Sequence, residues 1–198
     1  QNIPLRENNE INPISTYGHT KAAIERILKD LNNKSSNKWR IAILRYFNPV
    51  GAHFSGLIGE APRGVPNNIF PFLTQVGIGK RKELNIYGND WPTYDGTGVR
   101  DYIHVMDLAN GHISILKNKV NKHSFNVFNF GTGRGSTVLD VIDAFEKQTG
   151  KFINYKFSKR RDGDVTYSVC SPKKAIKELK WKAKYNLKQA MFDIKNII

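Results

Sequence analysis

The chain has a single cysteine, Cys170, among its 198 residues. One thiol excludes an intramolecular disulfide and suits a reducing, cytoplasmic setting. No apolar run approaches the ~18 residues needed to cross a bilayer, and no signal-peptide pattern is visible, so no membrane role is expected. The first residue is Gln1 rather than methionine, and the expectation is a start that is not a natural one. Acidic residues are scarce: 17 Asp and Glu stand against 31 Lys and Arg, for a formal charge of +14. Such a balance raises nucleic acid as a partner. The lysines are spread, however, thickening only between Lys147 and Lys195, with no Arg-rich arm, no metal-ligand spacing and no aromatic platform. A solvated basic surface without nucleic acid or metal is therefore expected, and a basic nucleic-acid-binding module is the rival reading. Internal repeats and low-complexity tracts are also lacking. A hydrophobic content of 39% allows one sizeable domain or parts of two, with a real core.

What is present is organised around Tyr17-Gly-His-Thr-Lys21 and the run that follows it. Ile24, Ile27, Leu28 and Leu31 recur at spacings of three and four, which predicts an amphipathic helix with one buried face. Extended back one turn, that helix sets Tyr17 and Lys21 at i and i+4, on the same face. A phenol titrates near pH ~10 and is a poor base at neutrality; an ammonium beside it favours the phenolate. The pair is thus a candidate acid–base group for an alcohol or sugar hydroxyl. The pattern alone is weak, because Tyr155 and Lys159 repeat the spacing inside a strand-like run, where it carries no such meaning. The plain alternative for Tyr17 is an aromatic packed at a helix start.

Along the chain, residues 1–16 read as a loop ending in cap residues. Trp39 to Phe47 is a short apolar run that predicts a buried parallel strand. Helix followed by such a strand is the grammar of a βα-repeating sheet. A glycine-rich loop leads to Pro66-Asn-Asn68, where a helix is expected to start and to offer its free N–H groups to an anion. Leu84–Tyr87 reads as a strand and Val99–Val105 as another extended segment. Asp107 opens a helix, with the helix dipole as the plain reason for an acid there. Phe125–Phe130 reads as a strand, followed by Gly131-Thr-Gly133-Arg-Gly135-Ser136 and a helix over about 137–148. That order imitates a dinucleotide fingerprint, but the third glycine falls on Ser136 and no acidic residue ends the next strand. A tight strand-to-helix turn is the reading adopted. A strand over Ile153–Phe157, a charged turn at 160–164 and two helices around Pro172–Leu179 and Leu187–Ile197 complete the pass.

Taken together, Tyr17-x-x-x-Lys21, Leu44-Arg-Tyr-Phe-Asn-Pro-Val-Gly-Ala52, Pro66-Asn-Asn68, Tyr87-Gly-Asn-Asp90 and Asp95-Gly-Thr-Gly-Val-Arg-Asp-Tyr-Ile-His-Val-Met-Asp107 carry a resemblance. Asn129-Phe-Gly-Thr-Gly133 and Arg160-Arg-Asp-Gly-Asp164 extend it. From about Ile3 to Lys195 the chain resembles the UDP-glucose 4-epimerases of the extended short-chain dehydrogenase/reductase family. The family's dinucleotide-binding glycine loop, and the Ser or Thr that assists its tyrosine, have no counterpart here, so the resemblance is to its C-terminal part. It implies an α/β fold, the C-terminal part of a Rossmann-type parallel sheet plus a smaller α/β substrate-binding domain. Residues 1–50, with 125–135 returning to them, fall on the NAD side, and 51–198 form the UDP-sugar side. The implied activity is NAD-dependent 4-epimerisation of UDP-glucose and UDP-galactose through a 4-keto intermediate, in a cytoplasmic homodimer, with these residues inactive alone. Other nucleotide-sugar epimerases, dehydratases and decarboxylases of the family are the nearer alternatives.

Position by position, Tyr17 resembles the acid–base tyrosine and Lys21 the lysine that holds the nicotinamide ribose. Tyr46 is similar to the residue beside the nicotinamide, and Phe47 and Asn48 to those facing the substrate. Asn68 and Ile69 resemble the pair beside the diphosphate and sugar, and Asn85, Ile86 and Tyr87 the uracil-contacting segment. Arg100 and Arg161 resemble the diphosphate clamps, for which a guanidinium fork is physically suited. Their plain alternatives are ion pairs, Arg100 with Asp95 or Asp101 and Arg161 with Asp162 or Asp164. Asp164 resembles the residue at the uridine ribose. Ser168 takes a place that faces the sugar's 2-substituent, where a small side chain implies room for an N-acetyl group and hence for UDP-GlcNAc and UDP-GalNAc. His19, His53 and His104 are expected to be structural.

Overall fold

The computed structural model describes residues 3–34, 39–118 and 125–195. Helix α1 spans Thr16–Lys34, and strands β1 (Ile41–Tyr46) and β2 (Asn48–Val50) follow. Then come α2 (Ile69–Gly77), β3 (Leu84–Tyr87), β4 (Val99–Arg100), β5 (Tyr102–His104) and α3 (Val105–Lys117). The chain continues with β6 (Phe125–Phe130), β7 (Ser136–Thr137), α4 (Val138–Thr149), β8 (Tyr155–Ser158), β9 (Tyr167–Ser168), α5 (Lys173–Leu179) and α6 (Leu187–Lys195). Strands pair in parallel as β1 with β6, β2 with β5, β3 with β8 and β4 with β9, while β4 with β7 is antiparallel. Parallel pairs joined through helices make this an α/β fold.

Two apolar cores lie back to back across β5. Alternation along a strand sends Tyr102 to one face and Ile103 to the other. Tyr102 joins Leu73 of α2, Ile86 of β3, Phe145 of α4 and Met191 of α6. Ile103 joins Leu108 of α3, Phe128 and Phe130 of β6, and Trp181. Helix ends are fixed by local chemistry. Thr137 and Asp140 form a reciprocal capping box at the start of α4, and Gly150 ends it in the left-handed conformation. Helix α3 is capped by an imidazole: the His104 side chain accepts from the Met106 N–H. Gly51, at φ +82°, runs so close to that ring that a Cβ would lie 2.6 Å from Nε2.

Several expectations need correction. The face of α1 carrying Ile24, Ile27 and Leu31 is exposed, at 49%, 64% and 38%, rather than buried. Among the described residues the helix is tied to β1 instead by a half-buried ion pair, with Glu25 accepting from Arg45 Nε at 2.8 Å and Nη2 at 2.7 Å. Strand β1 is parallel as expected, but only Ile41 in it is buried, and β6 is its one partner among the described residues. The extended segment 99–105 is split at Asp101, whose two sides belong to different sheets, and Val105 already starts α3. Helix α1 runs on to Lys34 past Leu31, and the last two residues of the final expected helix lie outside the described residues.

Candidate functional site

The first turn of α2, strand β3, the segment around Arg100 and the turn at 161–164 enclose a cavity of about 210 Å³. Asn48, Asn68, Ile69 and the whole Asn85-Ile86-Tyr87 segment line it, and so do Arg100, Arg161 and Asp164. Residues more than a hundred positions apart in sequence are thus brought to one wall. Asp164 sits between the two arginines. Its carboxylate accepts from Arg161 Nε at 3.0 Å and Nη2 at 3.3 Å, and lies 3.6 Å from Arg100 Nη2. Arg100 is further anchored by donating from Nη1 to the carbonyls of Val99 and Val165, at 2.9 and 2.8 Å. The Arg161 guanidinium stacks over the Tyr87 ring, 4.6 Å from its centroid. Two guanidiniums against one carboxylate leave a positive balance, suited to an anion with planar oxygen pairs. The ion-pair partner of Arg100 is Asp164, not Asp95 or Asp101; the pair of Arg161 with Asp164 is as anticipated.

The remaining singled-out residues lie outside this lining. Phe47 is half-buried in the step from β1 to β2, donating its N–H to the Phe130 carbonyl at 3.0 Å. Ser168, also half-buried, is the register partner of Arg100 in the β4–β9 pair. Tyr17 is 72% exposed on α1, with the Lys21 Nζ 5.1 Å from its ring centroid, so the same-face placement holds. Tyr46 is half-exposed, and its hydroxyl lies 2.6 Å from His112 Nε2. His112 Nδ1 faces the Leu108 carbonyl at 2.9 Å. A carbonyl only accepts, so neutral His112 carries its proton on Nδ1 and accepts the hydrogen bond that the Tyr46 hydroxyl donates at Nε2.

The Gly131–Ser136 turn is closed to a pyrophosphate for a physical reason. The buried Asp101 carboxylate already accepts from the Thr132 N–H (2.8 Å), Thr132 Oγ1 (2.6 Å) and the Gly133 N–H (2.9 Å). A dinucleotide would find those donors taken. No group of side chains able to hold a metal ion occurs among the described residues.

The family model described as GDP-mannose 4,6 dehydratase matches residues 1–194. The chain belongs to this family. It lies within the extended short-chain dehydrogenases/reductases. The chain is 48% identical over 190 residues to a UDP-glucose 4-epimerase of Bacillus subtilis (strain 168), covering 96% of this chain and 56% of that one. To a bifunctional UDP-glucose 4-epimerase and UDP-xylose 4-epimerase of Pisum sativum it is 49% identical over 195 residues, 98% of this chain and 55% of the relative. A crystal structure of UDP-glucose 4-epimerase from Bifidobacterium longum, in complex with NAD+ and UDP, superposes with a TM-score of 0.95 at 43% identity. That match covers 100% of this chain and 58% of the other. The chain spans a little over half the length of the curated relatives it matches.

Within this family member the cavity also holds residues that sequence reasoning missed. Arg81 and Trp91 line it. Arg81 sits in the run Lys80-Arg81-Lys82, which reads as solvated surface, yet its guanidinium stacks 4.9 Å over Phe72. Trp91 is covered by Arg160, 3.9 Å from the ring and paired with Asp90. Tyr102, also in the lining, has its phenol pushed up to about 12 by burial, so it is a neutral donor in any working pH range. The signal for Tyr102 was its alternation with Ile103; for Arg81 there was none.

Proposed function

We propose that the whole protein interconverts UDP-glucose and UDP-galactose by NAD-dependent epimerisation at C4. The observation that carries this reading is the single cavity in which Asn68, Ile69, Asn85–Tyr87, Arg100, Arg161 and Asp164 meet. UDP presents a flat base, a ribose and two phosphate charges. Arg100 and Arg161 meet the diphosphate, with the open first turn of α2 adding N–H groups. Asn85, Ile86 and Tyr87 lie along the uracil, Asp164 takes a ribose hydroxyl, and Asn48 and Phe47 face the hexose. Tyr17 takes the 4-hydroxyl proton as the C4–O bond becomes a ketone, and gives it back after the sugar has turned over, with Lys21 keeping a positive charge against the phenol. Lys21 and Tyr46 would lie against the nicotinamide half of NAD, which when bound would take up the C4 hydride and return it, so that no external reductant would be consumed.

The reading places residues 1–50 and 125–135 on the NAD side, which the parallel β1–β6 pair supports, and 51–198 on the UDP-sugar side. It extends to galactose metabolism in the cytoplasm and to a homodimer, and the uncovered apolar stripe of α1 supports an unmet interface there. No helix among the described residues is long and apolar enough to cross a membrane. Ser168, in register with Arg100, supports a second substrate pair, UDP-GlcNAc and UDP-GalNAc. The deciding experiment is a coupled assay of UDP-galactose conversion by the whole protein and its Tyr17→Phe variant. Phenylalanine keeps the ring and removes the transferable proton, so turnover should vanish while UDP binding persists. Substantial turnover by Tyr17→Phe sinks the assignment.

A further inference from the structure

The residue at the N-cap of α2, Asn68, does not cap its helix with its side chain. Its Nδ2 donates instead to Glu60 Oε1 at 2.8 Å. A carboxylate only accepts, so this contact fixes the amide unambiguously, with Nδ2 toward Glu60 and Oδ1 away from it. It also leaves one N–H and the carbonyl oxygen of Asn68 unspent in a residue that lines the cavity. Helix α2 is unusual in a second way: Pro71, at its third position, has no N–H to donate. An asparagine cap here is left with the N–H of Phe70 as its target, the very group that an anion at the helix start needs. Glu60 lies in the long connection between β2 and α2, whose residues 53–58 are tied among themselves by His53 and Gly56. From positions 59–67, the bond to Asn68 is the one hydrogen bond to another residue among the described residues.

We propose that Glu60 is a positioning residue for the UDP-sugar: by holding Nδ2 it sets the Asn68 amide for the ligand and keeps the first turn of α2 open to the diphosphate. The proposal rests on the UDP-sugar reading of the cavity. Charge alone argues against the residue being there, because a carboxylate near a diphosphate repels it. Its value lies in accepting a hydrogen bond, and an uncharged acceptor serves equally.

That difference makes the test. In the whole protein, Glu60→Ala removes the acceptor, whereas Glu60→Gln keeps an acceptor oxygen and removes the charge. UDP affinity, measured by calorimetry, should fall roughly three- to tenfold in Glu60→Ala, the scale of one hydrogen bond. KM for UDP-galactose should rise by a similar factor with kcat nearly unchanged, since the contact serves binding. Glu60→Gln should match or exceed the wild-type affinity. Melting temperatures should stay level, because both partners are exposed. If Glu60→Ala binds UDP like the wild type, or Glu60→Gln is as weak as Glu60→Ala, the positioning role is wrong. If the wild type itself binds no UDP, the reading of the cavity falls first and this proposal with it.

Discussion

Truncating the two cavity arginines one at a time separates a phosphate clamp from an ordinary surface ion pair. Arg100 has a side chain only 19% exposed and meets Asp164, while its Nη1 is held by two backbone carbonyls. It is therefore pre-set, and little side-chain entropy is lost when a phosphate docks on it. Arg100→Ala removes a charge-assisted hydrogen bond worth about 1.5–3 kcal/mol, equivalent to roughly 10- to 150-fold in the Kd for UDP. Arg161 is a different case. Its side chain is 56% exposed and already satisfied by both oxygens of Asp164, so solvent screening discounts what it adds. Arg161→Ala should cost about 1.5 kcal/mol or less, near tenfold. Calorimetry with UDP on the whole protein reads both, and repeating it at higher salt should narrow the Arg161 effect more than the Arg100 effect. Arg100→Lys keeps the charge without the fork and should fall between wild type and alanine. Affinities within about twofold of wild type in both alanine variants would put the diphosphate elsewhere and leave the two arginines as structural ion pairs.

Asp101→Asn should destabilise the fold by about 2–3 kcal/mol, because the new amide presents donors to the N–H groups of Gly133 and Cys170 that the carboxylate now accepts. An unfolding free energy lowered by less than about 0.5 kcal/mol in denaturant titration would remove Asp101 as the anchor of that turn. His104 makes stability pH-dependent. It accepts from the Met106 N–H at Nδ1 and meets Asp193 from Nε2 at 3.1 Å, so its neutral form is the one the fold uses. Burial lowers its pKa, outweighing the raising effects of Asp193 and Asp107. A folded pKa below the unfolded ~6.5 means stability is fully present above ~6.5 and is lost as pH falls from there toward the folded value. Urea midpoints between about pH 7.5 and about pH 5 should show that loss, and His104→Asn should flatten it; equal slopes in both proteins refute it. Ser168→Tyr should abolish conversion of UDP-GalNAc and spare UDP-galactose, since a clash discriminates where an added contact does not; equal loss of both kcat/KM values removes Ser168 as the gate.

How legible each feature was follows from how far apart its partners stand. Tyr17 and Lys21 are one turn apart, and the periodicity that places them together is local. The capping box of α4 is likewise written within four residues. Asp101 was readable only as a possible partner of its neighbour Arg100. Its real partners, Thr132, Gly133 and Cys170, lie 31 to 69 positions away, and nothing in a local pattern announces them. For the same reason Arg100 was offered two nearby carboxylates and took Asp164, 64 positions on. The apolar stripe of α1 was read correctly as a stripe; periodicity gives a helix its face but not what covers it. The motif register brought nine cavity residues together that no single periodicity relates.

On the epimerase reading, Asp101 also links the NAD side and the UDP-sugar side where three consecutive residues pass between them. The Tyr46 hydroxyl bonds His112 of α3. One residue later the Phe47 N–H is donated to Phe130 of β6, and the next N–H, of Asn48, goes to the Asp101 carbonyl at 2.9 Å. Within that step the chain leaves β6 and joins β5, and Asn48 enters the cavity lining. The Asp101 N–H is meanwhile bonded to the Ser168 carbonyl at 2.9 Å, and its carboxylate grips the turn that follows β6. One buried residue therefore fixes Asn48, the paired strands β4 and β9 that carry Arg100 and Ser168, and the end of the β6 strand against each other. On the epimerase reading, the arginine at the diphosphate and the residues facing the sugar need a constant separation, because a misplacement of about 1 Å costs on the order of a hundredfold in rate. A carboxylate satisfied by four donors from two distant segments is a stiff way to hold it.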